Sequence, residues 1–424
     1  MRLLRAISRF IAGLTFIFSG FVKLIDPVGV GLIMEEYLKS AGIGVWRPLT
    51  EIAGAFLSGI ELITGIAILL GLRMIYACKA IFFLTLFFTV LTFILALFNP
   101  LTDCGCFGEA IKLTNWETFI KNIILLLFVT VLLVQRREFI PVAPPKKEWI
   151  MLSVFALFTI ALGTYSYRNL PLIDFMEFKV GTNIKNRLEF SYEEGVERFQ
   201  TVLIYEKSGK REEFLIDNLP DSSYTFVDSK TVEIKASRSY KPMDFAVSDR
   251  AGNYVTDSLL SLEKPLFVVV SPIISNLKLK QKKRINQFYD TLANRGVEMI
   301  MLTGSDWRSV DSAKLRGDLK MKIFHTDYKT LLTLNRSNGG VVFLHSGTVI
   351  LKWSWRGLPI DRVDSVLEED PELLSARAGI FEQLSAELTA FILLMIIAIT
   401  RYIFRIVYNL KTHANREKEE SQET

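Results

Sequence analysis

Cysteine is scarce in this chain, three in 424 residues. Yet two of them flank a single glycine in 101-LTDCGCFGEA-110, as Cys104-Gly105-Cys106, with Asp103 before and Phe107-Gly108 after. Two thiols one residue apart can pair, stay reduced, bind a soft ion such as Cu(I), or act on another protein. A disulfide wants Cα atoms about 4.4–6.8 Å apart, near or below what residues i and i+2 of an extended chain present. A bend at Gly105 brings them closer. The ring would remain small and strained, and a strained disulfide is labile and suited to exchange. A static pair that only pins the loop is the plain structural alternative. Asp103 beside the pair would raise the pKa of its neighbour.

A second chemical candidate is Glu61 in 54-GAFLSGIELITG-65. A carboxylate inside an apolar run is costly, and there it marks either a functional group, such as a proton or quinone site, or a neutral acid hydrogen-bonded to another helix. Glu51 is shallower, and Lys23 is the expected partner for it.

The elements that must position these groups are membrane spans. Half of the residues are hydrophobic while 22% are charged, so the apolar residues are concentrated. Six spans are expected, over residues 4–24, 49–70, 74–98, 117–135, 149–166 and 386–408. With the N-terminus in the cytoplasm, Arg2, Arg5, Arg9, Arg73, Lys79, Arg136, Arg137, Lys146 and Lys147 fall inside. Only Lys39, Arg47 and Lys112 fall in the outer short loops. The positive-inside rule is then met at every crossing. The Cys104–Cys106 loop and the stretch from about 168 to 384 lie outside, where disulfides persist. Cys78, at the inner end of the third span, is ~39 Å of helix away and is no partner for the pair.

The outer stretch divides in two. Residues 174–262 read as β-rich, with hairpins Thr201–Tyr205/Glu213–Ile216 and Tyr224–Val227/Thr231–Ile234. Residues 265–365 alternate strand and helix and end in a hairpin around His345-Ser346-Gly347, an order that suits a thioredoxin-like layout. In such a fold a C-x-x-C pair follows the first core strand. Here that place reads 270-VSPIISNLKL-279, so this region is expected to dock a partner rather than exchange disulfides. Arg336-Ser337-Asn338-Gly339-Gly340 lies near the loop where such folds touch peptides. Residues 409–424 form a cytoplasmic tail, expected to be disordered. The net charge is only +5, and no phosphate loop, zinc-ligand spacing or aromatic-studded basic patch occurs, so no nucleic-acid partner is expected.

The stretches 8-SRFIAGLTFIFSGFVKLIDP-27, 36-EYL-38 and 60-IELITGIAILLG-71 resemble the DoxX-like membrane family, and 103-DCGCFG-108 before the fourth span resembles its MauE branch, named for a methylamine-utilisation protein. The resemblance covers residues 1–135. It implies a four-helix membrane bundle in the bacterial cytoplasmic membrane, with the family's cysteine pair at Cys104 and Cys106 and its acidic membrane residue at Glu61. DoxX proteins are linked to quinone-coupled sulfur oxidation, and MauE to maturation of a disulfide-rich periplasmic enzyme. The added fifth span, outer domain and final span resemble DoxX-family proteins of the Bacteroides group with a thioredoxin-like C-terminal region. They put methylamine metabolism in doubt as the role of this chain.

The expected protein is therefore an all-α membrane bundle with two further spans and a soluble α+β region. It is expected to act as a thiol–disulfide relay between Cys104–Cys106 and a periplasmic client or redox partner, with a membrane quinone near Glu61. A non-catalytic envelope scaffold and a Cu(I)-handling protein are the alternatives. On a background with the native cysteines replaced by serine, a membrane-impermeant maleimide added to intact cells should label Lys112→Cys and not Lys146→Cys. The reverse pattern would invert the topology.

Overall fold

Apolar runs bounded by arginine, lysine and tryptophan fold into the long helices that open the chain. The computed structural model describes residues 2–40, 42–44, 46–99, 105–188, 199–207, 210–215, 224–233, 245–315 and 319–423. The helices are α1 (Arg2–Ile25), α2 (Pro27–Ser40), α3 (Arg47–Leu70), α4 (Met74–Phe98), α5 (Asn115–Val134) and α6 (Pro145–Arg168). All but α2, with the first part of a last helix from Pro371, are long and apolar enough to cross a membrane. The chain is a multi-pass membrane protein. Helix α2 is an element the hydropathy pattern did not announce; Asp26 starts it by accepting from the Gly29 N–H at 3.0 Å.

Helices α1 and α3 form the tightest pair. A Cβ on Gly20 would lie 2.5 Å from the Leu62 nitrogen, and one on Gly65 2.7 Å from the Ile17 nitrogen. Glycine is what lets the two backbones touch, the usual device where apolar burial gives helices no reason to associate. Helix α3 ends at Gly71, whose φ of +84° suits only a residue without Cβ. Helix α5 starts in a capping box. The Glu117 N–H donates to Thr114 Oγ1, and the Thr114 N–H to Glu117 Oε2.

The soluble part holds two sheets. Strands β1 (Phe199–Lys207), β2 (Lys210–Leu215) and β3 (Thr225–Glu233) form one, antiparallel, in the order β2-β1-β3. The expected first hairpin is β1–β2. The second is not formed: β3 runs unbroken through Asp228-Ser229-Lys230, which lack the glycine that a two-residue hairpin turn demands.

The larger sheet has the order β4-β7-β6-β5-β8-β9. Its strands are β4 (Val247–Ser248), β5 (Leu266–Ser271), β6 (Glu298–Thr303), β7 (Lys322–Thr326), β8 (Gly340–His345) and β9 (Thr348–Trp353). Strands β5, β6 and β7 are parallel, and β4, β8 and β9 run against their neighbours. Between them lie α7 (Thr256–Leu260), α8 (Leu279–Ala293), α9 (Trp307–Leu315) and α10 (Tyr328–Leu334). This is the thioredoxin-like arrangement. Strand β5 is buried along its whole length because helices cover both faces of the sheet. Phe267 stacks on Phe343 at 4.8 Å and meets Phe288 edge-on at 5.6 Å on one face. On the other face Leu266, Val268 and Val270 pack with Phe178, Ile184 and Phe245. Residues 174–188 and 245–262 thus share this core, so the division expected at 262 falls inside one packed unit. Sheet membership is a long-range pairing that local alternation does not carry.

After α11 (Val363–Glu368), one helix, α12, runs from Pro371 to Glu423. It includes residues 414–423, which were expected to be disordered. No glycine or proline follows Gly379, and the tail is rich in good helix formers.

The α1–α3 contact predicts that Gly20→Ala lowers unfolding stability in detergent by about 1–3 kcal/mol, since the new methyl meets backbone that has no room to yield. Gly44→Ala, at a position with nothing within 4 Å, should be neutral. Equal stability of both variants would mean that α1 and α3 do not touch as described.

Candidate functional site

One turn beyond Gly20 on α1 stands Lys23, and one residue before Leu62 on α3 stands Glu61. The close approach at the glycine brings the two together: Lys23 Nζ lies 2.5 Å from the Glu61 carboxylate. Both are buried, at 7% and 2% exposure, so this is a desolvated ion pair and not an interfacial one. The expected pairing of Lys23 with Glu51 is not formed. Glu51 instead accepts from Arg47 Nε at 3.0 Å, one helical turn away. An i,i+4 partner on the same helix is always within reach, whereas a partner on another helix depends on how the helices cross.

Ser19, four residues before Lys23 and on the same face, joins this pair to the cysteine loop. Its hydroxyl oxygen lies 2.9 Å from Glu61 Oε2 and 2.9 Å from the carbonyl oxygen of Cys106. The single hydroxyl proton serves one of these acceptors at a time. The structure thus brings Glu61 and Cys106, two residues singled out from sequence, to one place. Asp103 and Cys104 lie outside the described residues.

The loop is held by its own residues. Gly105 has φ +66°, a left-handed conformation that favours a residue without Cβ, and Ile33 Cδ1 packs 2.6 Å from where a Cβ would stand. The Gly108 N–H donates to the Gly105 carbonyl at 3.0 Å and closes a turn. Phe107 is buried in the bundle, edge-on to Phe18 at 5.5 Å, and the Lys121 ammonium sits 4.1 Å from its ring centre. Lys121, which hydropathy marks only as a blemish in the fourth span, therefore places a cation beside the cysteine loop.

Around the ion pair lies a small pocket whose lining mixes Ser19, Lys23, Glu61, Thr85, Lys121 and Asn122 with Cys106, Phe107 and the apolar Phe16, Phe88 and Leu125. Its volume, about 30 Å³, is that of a water or two. The donors present suit recognition of a quinone carbonyl, but a quinone ring does not fit this space, and no step is assigned to one. Thr85 and Thr92 turn their hydroxyls to the carbonyls of Ile81 and Phe88, and Asn122 donates to Thr92 Oγ1 at 3.2 Å. The polar lining is thereby satisfied within the bundle. Among the described residues no group of three His, Cys, Asp or Glu side chains is placed to hold a metal.

Sequence reading missed Ser19, Asn122 and one contact between the bundle and the soluble part. Ser19 was discoverable, since it shares a helical face with Lys23. The contact was not. Arg336 Nη2 lies 2.8 Å from Asp26 Oδ2, across 310 positions of chain. Burial works to lower the Arg336 pKa, but Asp26 and more distant carboxylates outweigh it, so the guanidinium is held even more firmly charged than usual.

Comparison with known proteins adds the following. Residues 1–135 match the model of the MauE family, methylamine utilisation protein MauE. Residues 199–236 match a domain family of unknown function, DUF8463. No curated protein matches the chain. A solution structure from Bacteroides thetaiotaomicron, described as a protein disulfide isomerase, aligns at 15% identity and a TM-score of 0.25, over 30% of this chain and 87% of that one.

Lys23→Met alone should destabilise the protein by about 3–5 kcal/mol, because it leaves a carboxylate buried without its partner. Adding Glu61→Gln should recover most of that loss. Denaturant unfolding in detergent checks this, and a double variant as unstable as the single one would show that the pair is not coupled.

Proposed function

We propose that this chain is an integral membrane thiol–disulfide exchange protein that works through Cys104 and Cys106 on a client outside the cytoplasm. The observation that carries the reading is the position of the Cys106 carbonyl at the Ser19 hydroxyl, which also reaches the buried Lys23–Glu61 pair. A cysteine loop that served only as a staple would need no such charged base. The match of residues 1–135 to a methylamine-utilisation membrane family supports a role of the maturation type. The basic residues of the short loops support a bacterial inner-membrane protein with both termini cytoplasmic and the cysteine loop periplasmic.

In the exchange, a thiolate of the pair attacks a client disulfide and displaces one client sulfur. The second thiol of the pair then displaces the other. One client S–S bond breaks, one forms between Cys104 and Cys106, and the client gains two electrons and two protons. Run in reverse, the same steps oxidise a client dithiol. A second thiol–disulfide protein resets the pair in either direction. Gly105 permits the bend that ring closure needs.

The thioredoxin-like region has no cysteine, and the loop after β5 that would carry an exchange pair reads Pro272-Ile273-Ile274-Ser275-Asn276. Its part is to hold the client near the membrane loop and so raise its effective concentration.

With Cys78→Ser removing background, thiol trapping across a glutathione series should show a reversible pair with a potential well above the ~−300 mV of structural disulfides. Cys104→Ser or Cys106→Ser should each abolish it. A pair locked in one state at all potentials would refute the exchange reading.

A further inference from the structure

Where the soluble part meets the bundle there is a cleft of about 470 Å³, well apart in sequence from the cysteine loop. One wall is the start of α3 and the end of α6: Trp46, Arg47, Glu51, Tyr167 and Arg168. The other is the end of the thioredoxin-like sheet where an exchange pair would face its substrate: the loop after β5, Lys278, Tyr328, the 336–338 loop and Trp355-Arg356.

Charge in the cleft is one-sided. Arg47, Arg168, Lys278, Arg336 and Arg356 line it, and among the described residues Glu51 is the only acidic one in the lining. Asp26 neutralises Arg336 through Nε and Nη2, while Nη1 donates to the Leu332 carbonyl. Arg356 donates to the Arg168 carbonyl and lies over the Trp355 ring at 4.4 Å, which keeps its charge at the cleft.

Arg47 is the decisive residue. Its guanidinium is fixed in orientation, with Nε on Glu51 at 3.0 Å and the plane over the Tyr328 ring at 4.7 Å. Nη1 and Nη2 are buried and have no hydrogen-bond partner among the described residues. Buried donors of this kind are almost always used, and a guanidinium whose two terminal nitrogens are unpaired can take a carboxylate in two parallel hydrogen bonds. The Tyr167, Tyr328 and Trp355 rings add apolar wall, and the volume exceeds what a lone inorganic anion fills.

We propose that this cleft binds an acidic extended peptide, with a carboxylate on Arg47 and flanking acidic groups on Lys278 and Arg356. Calling that peptide a segment of the exchange client rests on the function proposed above, but the binding itself does not. Most of the lining residues belong to the soluble region, at the end of its sheet where β5 gives way to the 272–278 loop, which favours a peptide over a lipid phosphate as the anion.

The test uses the full chain with Cys104→Ser and Cys106→Ser in nanodiscs of phosphatidylcholine, so that a failed exchange reaction leaves the result untouched. The probes are a fluorescent Ala-Glu repeat peptide and its Ala-Gln counterpart, read by anisotropy. The glutamate peptide should bind and the glutamine peptide should not. Arg47→Lys, which keeps the charge but removes the fork, should weaken binding roughly tenfold. Arg356→Gln, at an exposed position that tolerates change, should weaken it several-fold. Equal binding of both peptides, no binding of either, or binding indifferent to Arg47→Lys and Arg356→Gln would overturn the proposal. So would Arg47-dependent retention of phosphatidylglycerol by a chain that ignores the peptide, which would make the cleft a lipid site.

Discussion

An ammonium and a carboxylate in contact inside a membrane bundle set most of what surrounds them. Removing either charge from water is expensive, and their attraction offsets this only if the two meet closely with their remaining hydrogen bonds filled. That requirement fixes the geometry of α1 on α3. The helices must approach to backbone contact, which Gly20 and Gly65 allow, and the crossing must set Lys23 over Glu61. Once Glu61 is placed, Ser19 stands within 2.9 Å of both its carboxylate and the Cys106 carbonyl, its one hydroxyl proton serving either in turn. Phe107 then fills the adjoining space against Phe18 and under Lys121.

The soluble part is fastened by a second set of buried charges. Beside Arg336–Asp26, Lys352 meets Asp174 at 2.6 Å with side chains only 4% and 10% exposed, and Glu382 of α12 accepts from the Asp174 N–H. Burial lowers the pKa of Lys352, while Asp174 pulls it back up. Asp174 thus ties the chain after α6 to β9 through its carboxylate and to the last helix through its backbone N–H. Surface pairs such as Lys329–Glu36 lie along the same junction but contribute little, because water screens them. The junction leaves the exchange end of a cysteine-free fold turned toward the bundle, and the cleft there gathers cations from both parts.

Legibility differed by length scale. The helices of the bundle and the strand–helix order after residue 265 could be read because each is a local pattern of apolar residues bounded by polar or turn residues. Tyr328–Leu334 even has its cap in view, with Asp327 accepting from the Lys329 and Thr330 N–H groups. The supposed hairpin at 224–234 failed because alternation is the same in one long strand as in two short ones. Helix α2 was missed because its 14 residues are too few for a span and it is not strongly two-faced. Glu61 stood out since a carboxylate in an apolar run is conspicuous, but its partner did not: Lys23 was assigned to the shallower Glu51, because the crossing of α1 on α3 is not written in either helix alone.

The sequence by itself determined the spans, the bias of basic residues toward alternate connections, the oddity of Cys104-Gly105-Cys106 and the lack of cysteine in the soluble region. These are statements about composition along the chain, and local physics suffices for them. Only the tertiary structure decided that Glu61 pairs with Lys23, that Ser19 carries this pair to Cys106, that Asp26 receives Arg336, and that Arg47 faces a cleft with its guanidinium fork unused. Each of these joins residues whose separation in the chain carries no information about their separation in space. The helix crossings and sheet pairings that bring them together are fixed by the packing of the whole.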